Sequence, residues 1–307
     1  MTRFIIIRLI QAIIAILGIT ILVFFLVRAA GDPMDLLKNP NMTQEQFETL
    51  KVRLGLDRSY SEQFVVYMGD LAQGDLGTSL LKQRPIIDMI GESLPNTLKL
   101  TVPSFVIGMT LAVFLGMMAA TRRDSLWDQG VKFLAVLGQA LPAFWVAIMA
   151  MLIFSVYLKW LPVAGMDTPA HYVLPIVTML FFMLPGMMRL VRSNMLDVLD
   201  SEYIKLARIK GLPERTVIWK HAFRNALITP LTTLGLLIPQ LVLGAVITET
   251  IFNWPGMGRM IVESTFARDF TVVQAITIIT AILVLGANLL VDISYAYVDP
   301  QIRFQRS

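Results

Sequence analysis

Six apolar runs decide what this chain can fold into: Ile5 to Val27, Leu98 to Ala120, Val131 to Tyr157, Val173 to Leu190, Leu227 to Ile251 and Val272 to Tyr297. A bilayer core is about 30 Å thick, so a helix needs about 20 mostly apolar residues to cross it, and each run is near that length. None shows the period-two alternation of a barrel strand. Lipid offers backbone amides no partners, so the runs are expected to be helices. Composition agrees: 56% of residues are hydrophobic and only 16% charged, with a mean hydropathy of +0.67, too apolar for an ordinary soluble domain. The expected fold class is an all-α membrane protein, a bundle of six transmembrane helices.

The first run follows Arg3 and Arg8 and ends near Val27-Arg28-Ala29, which resembles a cleavage site. Signal cores run about 7 to 15 residues; this one is long enough to span, so it is read as an uncleaved helix. There is no cysteine, hence no disulfide framework or thiolate metal site.

Lysine and arginine near span ends set orientation. Arg3 and Arg8, then Arg122 and Arg123, then Arg189, Arg192, Lys205, Arg208, Lys210, Arg215, Lys220 and Arg224 all fall on one side. The alternate loops are poorer: residues 158–172 hold only Lys159, and 252–271 hold Arg259 and Arg268. Both termini are therefore expected in the cytoplasm. The net charge of +4 follows from this bias and calls for no nucleic acid.

Three regions result: a first span over 1–30, an extracytoplasmic loop with short helices over 31–96, and a core over 97–307 with five spans and a cytoplasmic loop 197–226. Within the outer loop, Thr43 with Gln46 forms a capping box ahead of Phe47, Leu50 and Leu54, and Gly55 supplies a stop. A second helix starts near Ser59 with Glu62, and "QGDLGTSL" marks turns. The loop reads either as a cap on the bundle or as a docking surface.

A transporter powered by an ion gradient usually keeps carboxylates or histidines inside its spans, because a charge at mid-bilayer costs at least about 2.5 kcal/mol. Here Glu249 and Asp292 lie near span ends, where they can snorkel or cap, and His171 and His221 sit at loop edges. No phosphate-binding G-x-x-x-x-G-K-[ST] loop, G-x-S-x-G elbow or H-E-x-x-H pair occurs. The 18 methionines are scattered, as core filling requires. The spans do carry Pro103 and Gly108, Pro142, Pro175, Pro185 with Gly186, Pro230, Gly235, Pro239 and Gly244. Each proline removes a helix hydrogen bond, and together they suggest kinked helices around a pathway. "ETIFNWPGMGRM", residues 249–260, reads as an interrupted helix or turn. Asn253, Trp254, Pro255 and Gly256, with Pro142 and Pro185, are the candidate outer gate and pathway residues.

The most charged bridge between spans is "DSEYIKLARIKGLPERTVIWKHAFRNAL", residues 200–227. Taken as a helix over 199–210, it puts Leu199, Tyr203, Leu206 and Ala207 on one face, with Ser201, Lys205 and Arg208 opposite. Gly211 then stops the helix, and Pro213 opens a second one with Glu214 in its first turn. In that second helix Ile218, Trp219, Ala222, Phe223 and Ala226 gather on one side. The expected shape is a helix-turn-helix knob, read either as a solvated connector or as a contact surface for a partner.

The knob carries a resemblance. "ARIKG" followed by "LPERTVIWKHAFRNAL" is similar to the cytoplasmic signature loop of ATP-binding-cassette (ABC) importer permeases of the dipeptide, oligopeptide and nickel family. The likeness extends through "RLIQAIIAILGITILVFFLVRAAGDP", "LGLDRSY", "GDLGTSL", "RPIIDMIGESLPNTLKLT", "LPAFWVAIM", "WLPVAGM", "ETIFNWPGMGRMIVE" and "VDISYAYVDPQIR". The wider signature opens Glu-Ala-Ala where this chain has Lys205-Leu206-Ala207, and Phe223-Arg224 replaces its later Leu-Pro pair, departures common in the peptide branch. The "GDP"-ending start resembles the first of the family's two permease subunits.

The resemblance implies a passive, non-catalytic permease in a bacterial inner membrane, paired with a second, related permease as a heterodimer. Two ABC ATPases would grip Glu202, Tyr203, Lys205, Leu206, Ala207, Arg208, Gly211, Leu212 and Pro213. Leu206, Ala207 and Leu212 would form the buried knob, Gly211 the hinge, and Lys205 and Arg208 the polar rim. This chain would bind no cofactor of its own, ATP and Mg belonging to the partner ATPases, and an extracytoplasmic binding protein would deliver substrate. Peptides lead as substrate, including glutathione-like ones on the strength of "WLPVAGMDTPAHYVLP"; nickel chelates or sugars are the alternatives within the family, and a gradient-driven carrier is the alternative outside it.

Overall fold

The computed structural model describes residues 2–31, 34 and 43–298. Among these the chain is almost wholly helical. Its main helices are α1 (Thr2–Ala30), α2 (Gln44–Arg53), α3 (Tyr60–Ala72), α4 (Ile86–Thr121), α5 (Leu126–Ala140), α6 (Ala143–Ala150), α7 (Ala170–Leu199), α8 (Glu202–Ile209), α9 (Ile228–Ile251), α10 (Met257–Phe266) and α11 (Phe270–Val298).

Four helices are long and apolar enough to cross a membrane unaided: Ile5–Ala29, Ile86–Thr121, Ala170–Leu199 and Phe270–Val291. With each of two bent pairs counted as one span, the number is six. The first corrects the expected continuous run Val131 to Tyr157. It begins at Leu126, breaks by 104° between Ala140 and Ala143, and continues through α6 into π-turns over Met151–Tyr157. The break has a local cause: Leu141, which precedes Pro142, is extended (φ −93°, ψ 132°), because the proline ring excludes the helical region for the residue before it. The second pair bends by 52° between Gly235 and Leu237, where the Pro239 ring would meet the carbonyl four residues back. Pro103, Pro175 and Pro185 lie inside continuous helices.

Close packing of α4 on α7 forms the centre of the bundle. Gly108, Ala112 and Gly116 place a small residue at every fourth position of α4 and face α7. A Cβ at Gly116 would stand 2.7 Å from the Met188 carbonyl and 2.8 Å from Val191 Cβ. Small residues at this spacing let helix backbones approach in lipid, where apolar association alone supplies no driving force. On the outside of the bundle, Ile6, Ile10, Ile13, Ile14 and Leu17 of α1 are exposed, as a lipid-facing helix requires.

The loop after α1 packs on one end of the bundle. Both expected capping boxes are present, Thr43 with Gln46 and Ser59 with Glu62, and Gly55 stops α2 with φ +68°. Phe64 and Tyr67 of α3 meet Phe24 of α1, with ring centroids 5.1 and 5.6 Å apart. Leu76, Ile86, Met89 and Ile90 share a core with Met257, Met260, Val272 and Ile276. The loop is joined electrostatically as well: buried Asp269, just before α11, accepts from the Ser79 hydroxyl at 2.5 Å. α4 starts at Ile86, twelve residues before its apolar run, so the end of the 31–96 region is helical.

Candidate functional site

The charged bridge forms a helix-turn-helix at the end of the bundle opposite this loop. It is not one helix over 199–210. Leu199 closes α7, the backbone breaks at Asp200 and Ser201, and α8 begins at Glu202. α8 ends in a Schellman turn: Gly211 takes φ +75°, its N–H donates to the Arg208 carbonyl at 2.9 Å, and the Leu212 N–H donates to the Ala207 carbonyl at 3.3 Å. A residue with a Cβ is strained at that φ. Pro213 then caps Glu214–Thr216, which runs through wide π-turns over Val217–Ala222 into Phe223–Ala226.

One side of the bridge is fastened to the bundle. Ile204, Ala207, Val217, Ala222 and Ala226 are buried against Ala119, Ala120, Met195 and Leu199. Ile204 is the anchor that the reading of 199–210 as one helix passed over, because that reading ran the helix through the break at Ser201. The opposite side is open: Tyr203, Leu206, Ile209 and Leu212 are 45%, 51%, 82% and 38% exposed. Leu206 and Leu212 thus belong to an uncovered apolar surface, while Ala207 packs within the chain. Ile209, the most exposed, was also missed; its place two residues before the Gly211 stop is the signal that could have found it.

Ion pairs outline that surface. Lys205 Nζ meets Glu202 Oε1 at 2.8 Å, and the carboxylate holds the ammonium above the usual lysine range. Arg208 reaches across the turn to Glu214, and Asn225 donates to the Tyr203 hydroxyl at 3.0 Å. Behind the bridge, Asp128 of α5 is fully buried; it takes Arg192 Nε at 2.6 Å and Nη2 at 2.9 Å, and Lys132 Nζ at 2.8 Å. This pair ties α5 to α7 where the bridge leaves the bundle. Sequence reading counted Arg192 only as a positive charge, since its partner lies 64 residues away.

At the other end, residues 252–258 make a compact turn. Asn253 takes φ +52°. Trp254 is fully buried, donates from Nε1 to the Asn96 carbonyl at 2.9 Å, and meets Tyr172 edge-on at 4.6 Å. Asn96 returns a bond to the Pro255 carbonyl at 3.1 Å. Glu249 is buried and caps α10: its Oε2 accepts from the N–H groups of Gly258 at 2.7 Å and Arg259 at 3.1 Å. Of the two expected outcomes for Glu249, capping is the one found; the Asp292 side chain lies outside the described residues. Gly256 and Gly258 leave the room the carboxylate occupies, and a Cβ on Gly258 would come within 2.6 Å of Val246 Cα.

Pro142 and Pro185 both belong to the region where α5 breaks against α7, away from this turn. Pro142 lines a cavity of about 480 Å³ with Gly138, Gln139, Phe182, Met183 and Gly186. Gly138 lies directly on Pro185, with space for a Cβ denied by that ring and by the Phe181 carbonyl. The six candidate gate and pathway residues therefore fall in two places, four in the turn after α9 and two where α5 breaks against α7.

Residues 112–304 match the family model described as "Binding-protein-dependent transport system inner membrane component", and residues 1–101 match the model of its N-terminal region. The chain is 39% identical to the oligopeptide transport system permease protein AppB of Bacillus subtilis, over 99% of this chain and 100% of that one. It is equally similar, at 39% and with the same coverage, to a putative peptide transport system permease protein of Brucella abortus. The glutathione transport system permease protein GsiC of Escherichia coli is 36% identical over 99% of this chain and 100% of its own length.

Proposed function

Because this chain belongs to the inner membrane components of binding-protein-dependent transport systems, we propose that it forms half of the pathway of an ABC importer for peptides. It is a multi-pass inner-membrane permease subunit. The observation that carries the mechanism is the open apolar surface of Tyr203, Leu206, Ile209 and Leu212 on a bridge whose other side is fixed in the core.

An uncovered apolar surface of this kind marks a contact site. Two partner ATPases dock on it, over Glu202 to Pro213, and they hold the ATP and Mg. The termini and the bridge face the cytoplasm, in keeping with the basic loops. Displacement of α8 passes into the bundle through Ile204 and Ala207, and the Asp128–Arg192 pair makes α5 and α7 respond together. A second, related permease completes the pathway, and an extracytoplasmic binding protein delivers substrate at the opposite end, where the 252–258 turn lies. The names of the relatives support peptides, glutathione among them, as the substrate class.

Reconstitution tests this reading. Vesicles with the full set of subunits, binding protein and internal ATP should accumulate a peptide, and should stop when ATP is depleted while ion gradients persist. Accumulation by the purified chain alone against a concentration difference would refute it. The ligand found on the copurifying binding protein identifies the substrate.

A further inference from the structure

Beside the loop end of α1 lies a cavity of about 500 Å³ whose lining includes Arg28, Lys51, Arg58, Ser59, Tyr60 and Gln63. Among the described residues three cations line it and no carboxylate does; Asp70 and Asp75 line the adjoining cavity of about 670 Å³ instead. Arg28 is half-buried. It donates to Gln63 Oε1 at 3.0 Å and to the Phe24 carbonyl at 3.3 Å, and its guanidinium lies 3.3 Å from the Phe24 ring centroid. These partners are all uncharged, and no ion pair joins Arg28, Lys51 or Arg58 to a carboxylate of the described residues.

The end of a helix favours a cation, which accounts for Arg28. It does not account for Lys51 and Arg58, which α2 and the turn after it bring to the same cavity. Three like charges line one cavity, with Glu62 reaching only the Ser59 side of it, and their positive potential is one that an anion relieves. Arginine presents paired N–H groups that match a phosphate, and the Tyr60 hydroxyl adds a donor; that of Ser59 already donates to Glu62 Oε2 at 2.9 Å. Arg28 also stands at the end of the apolar run Ile5–Ala29, the depth at which lipid headgroups meet water.

We propose that this cavity binds the phosphate of an anionic phospholipid headgroup, seating α1 and the α2–α3 loop on the membrane surface. The inference does not depend on the transported substrate.

The test is native mass spectrometry of the delipidated full-length chain, titrated with phosphatidylglycerol and phosphatidylcholine of identical acyl chains. The chain should retain phosphatidylglycerol in preference. Arg28→Gln, and separately the double variant Lys51→Gln with Arg58→Gln, should weaken that retention about tenfold. The double variant alters two groups outside the helix packing, so it remains informative should Arg28→Gln fold poorly. Equal retention of the two lipids, or unchanged retention by the double variant, would overturn the site. Displacement of the lipid by millimolar inorganic phosphate would reassign it to a free anion and overturn the headgroup assignment.

Discussion

Arg208 and Glu214 meet across the Gly211 turn through two hydrogen bonds, Nε to Oε2 at 3.2 Å and Nη2 to Oε1 at 2.8 Å. The pair closes the loop that joins α8 to the helical turns after it, so the bridge presents a defined edge. Both side chains are about half exposed, and a pair of that kind adds less than about 1 kcal/mol. Its effect is on shape more than on stability.

Gly211 is where shape and stability separate most cleanly. A Cβ there would meet nothing within 4 Å, so Gly211→Ala should cost only the conformational strain of a positive φ, about 1 kcal/mol. Thermal unfolding of the purified chain reads that directly. Gly211→Asp should likewise leave the bundle assembled, yet uncouple ATP hydrolysis from uptake in the complete transporter. Normal uptake by this variant would count against the bridge as the coupling element.

Ile209→Asp and Leu206→Asp place a charge on the open apolar surface and bury nothing. Stability of the isolated chain should change by no more than about 0.5 kcal/mol, while recovery of the ATPases with the purified permease should fall sharply. The control is Ile204→Asp, which puts a charge into the core and should prevent folding altogether.

Asp128→Ala would leave Arg192, 18% exposed, without the carboxylate that holds it. Removing one member of a buried pair is far more costly than lacking the pair, and about 3 kcal/mol of destabilisation is expected. The double variant Asp128→Ala with Arg192→Leu should recover part of the loss. Melting temperatures of the four proteins in a mutant cycle check this; additive effects would show that the two groups do not interact.

Two glycine substitutions should shift stability in opposite directions. Gly258→Ala forces a Cβ against Val246 Cα at 2.6 Å and Glu249 Oε2 at 2.9 Å, and should destabilise the chain by about 1–3 kcal/mol. Gly130→Ala, in the helix α5 with nothing within 4 Å, should stabilise it by about 0.5–1 kcal/mol. Differential scanning fluorimetry in detergent distinguishes the two signs.

Local chemistry made much of the molecule legible in the sequence. The length of the apolar runs and their lack of period-two alternation point to the helical membrane class, because a backbone in lipid must be satisfied internally, by a helix or by a closed barrel. Thr43, Ser59, Gly55 and Gly211 mark helix starts and stops that the structure reproduces, since caps and positive-φ stops depend on residues only a few positions apart. Tertiary structure alone decided the rest. That Ile204 faces the core and Ile209 faces outward depends on where α4 and α7 stand, and both residues are equally apolar in the sequence. That Gly138 of α5 lies on Pro185 of α7 depends on how the two helices pack. Asp128 finds Arg192 64 residues away, and Glu249 finds the first amides of α10 only after the chain has turned through Trp254 and Gly256. Such pairings are set by packing between helices, and no periodicity along a single helix encodes them.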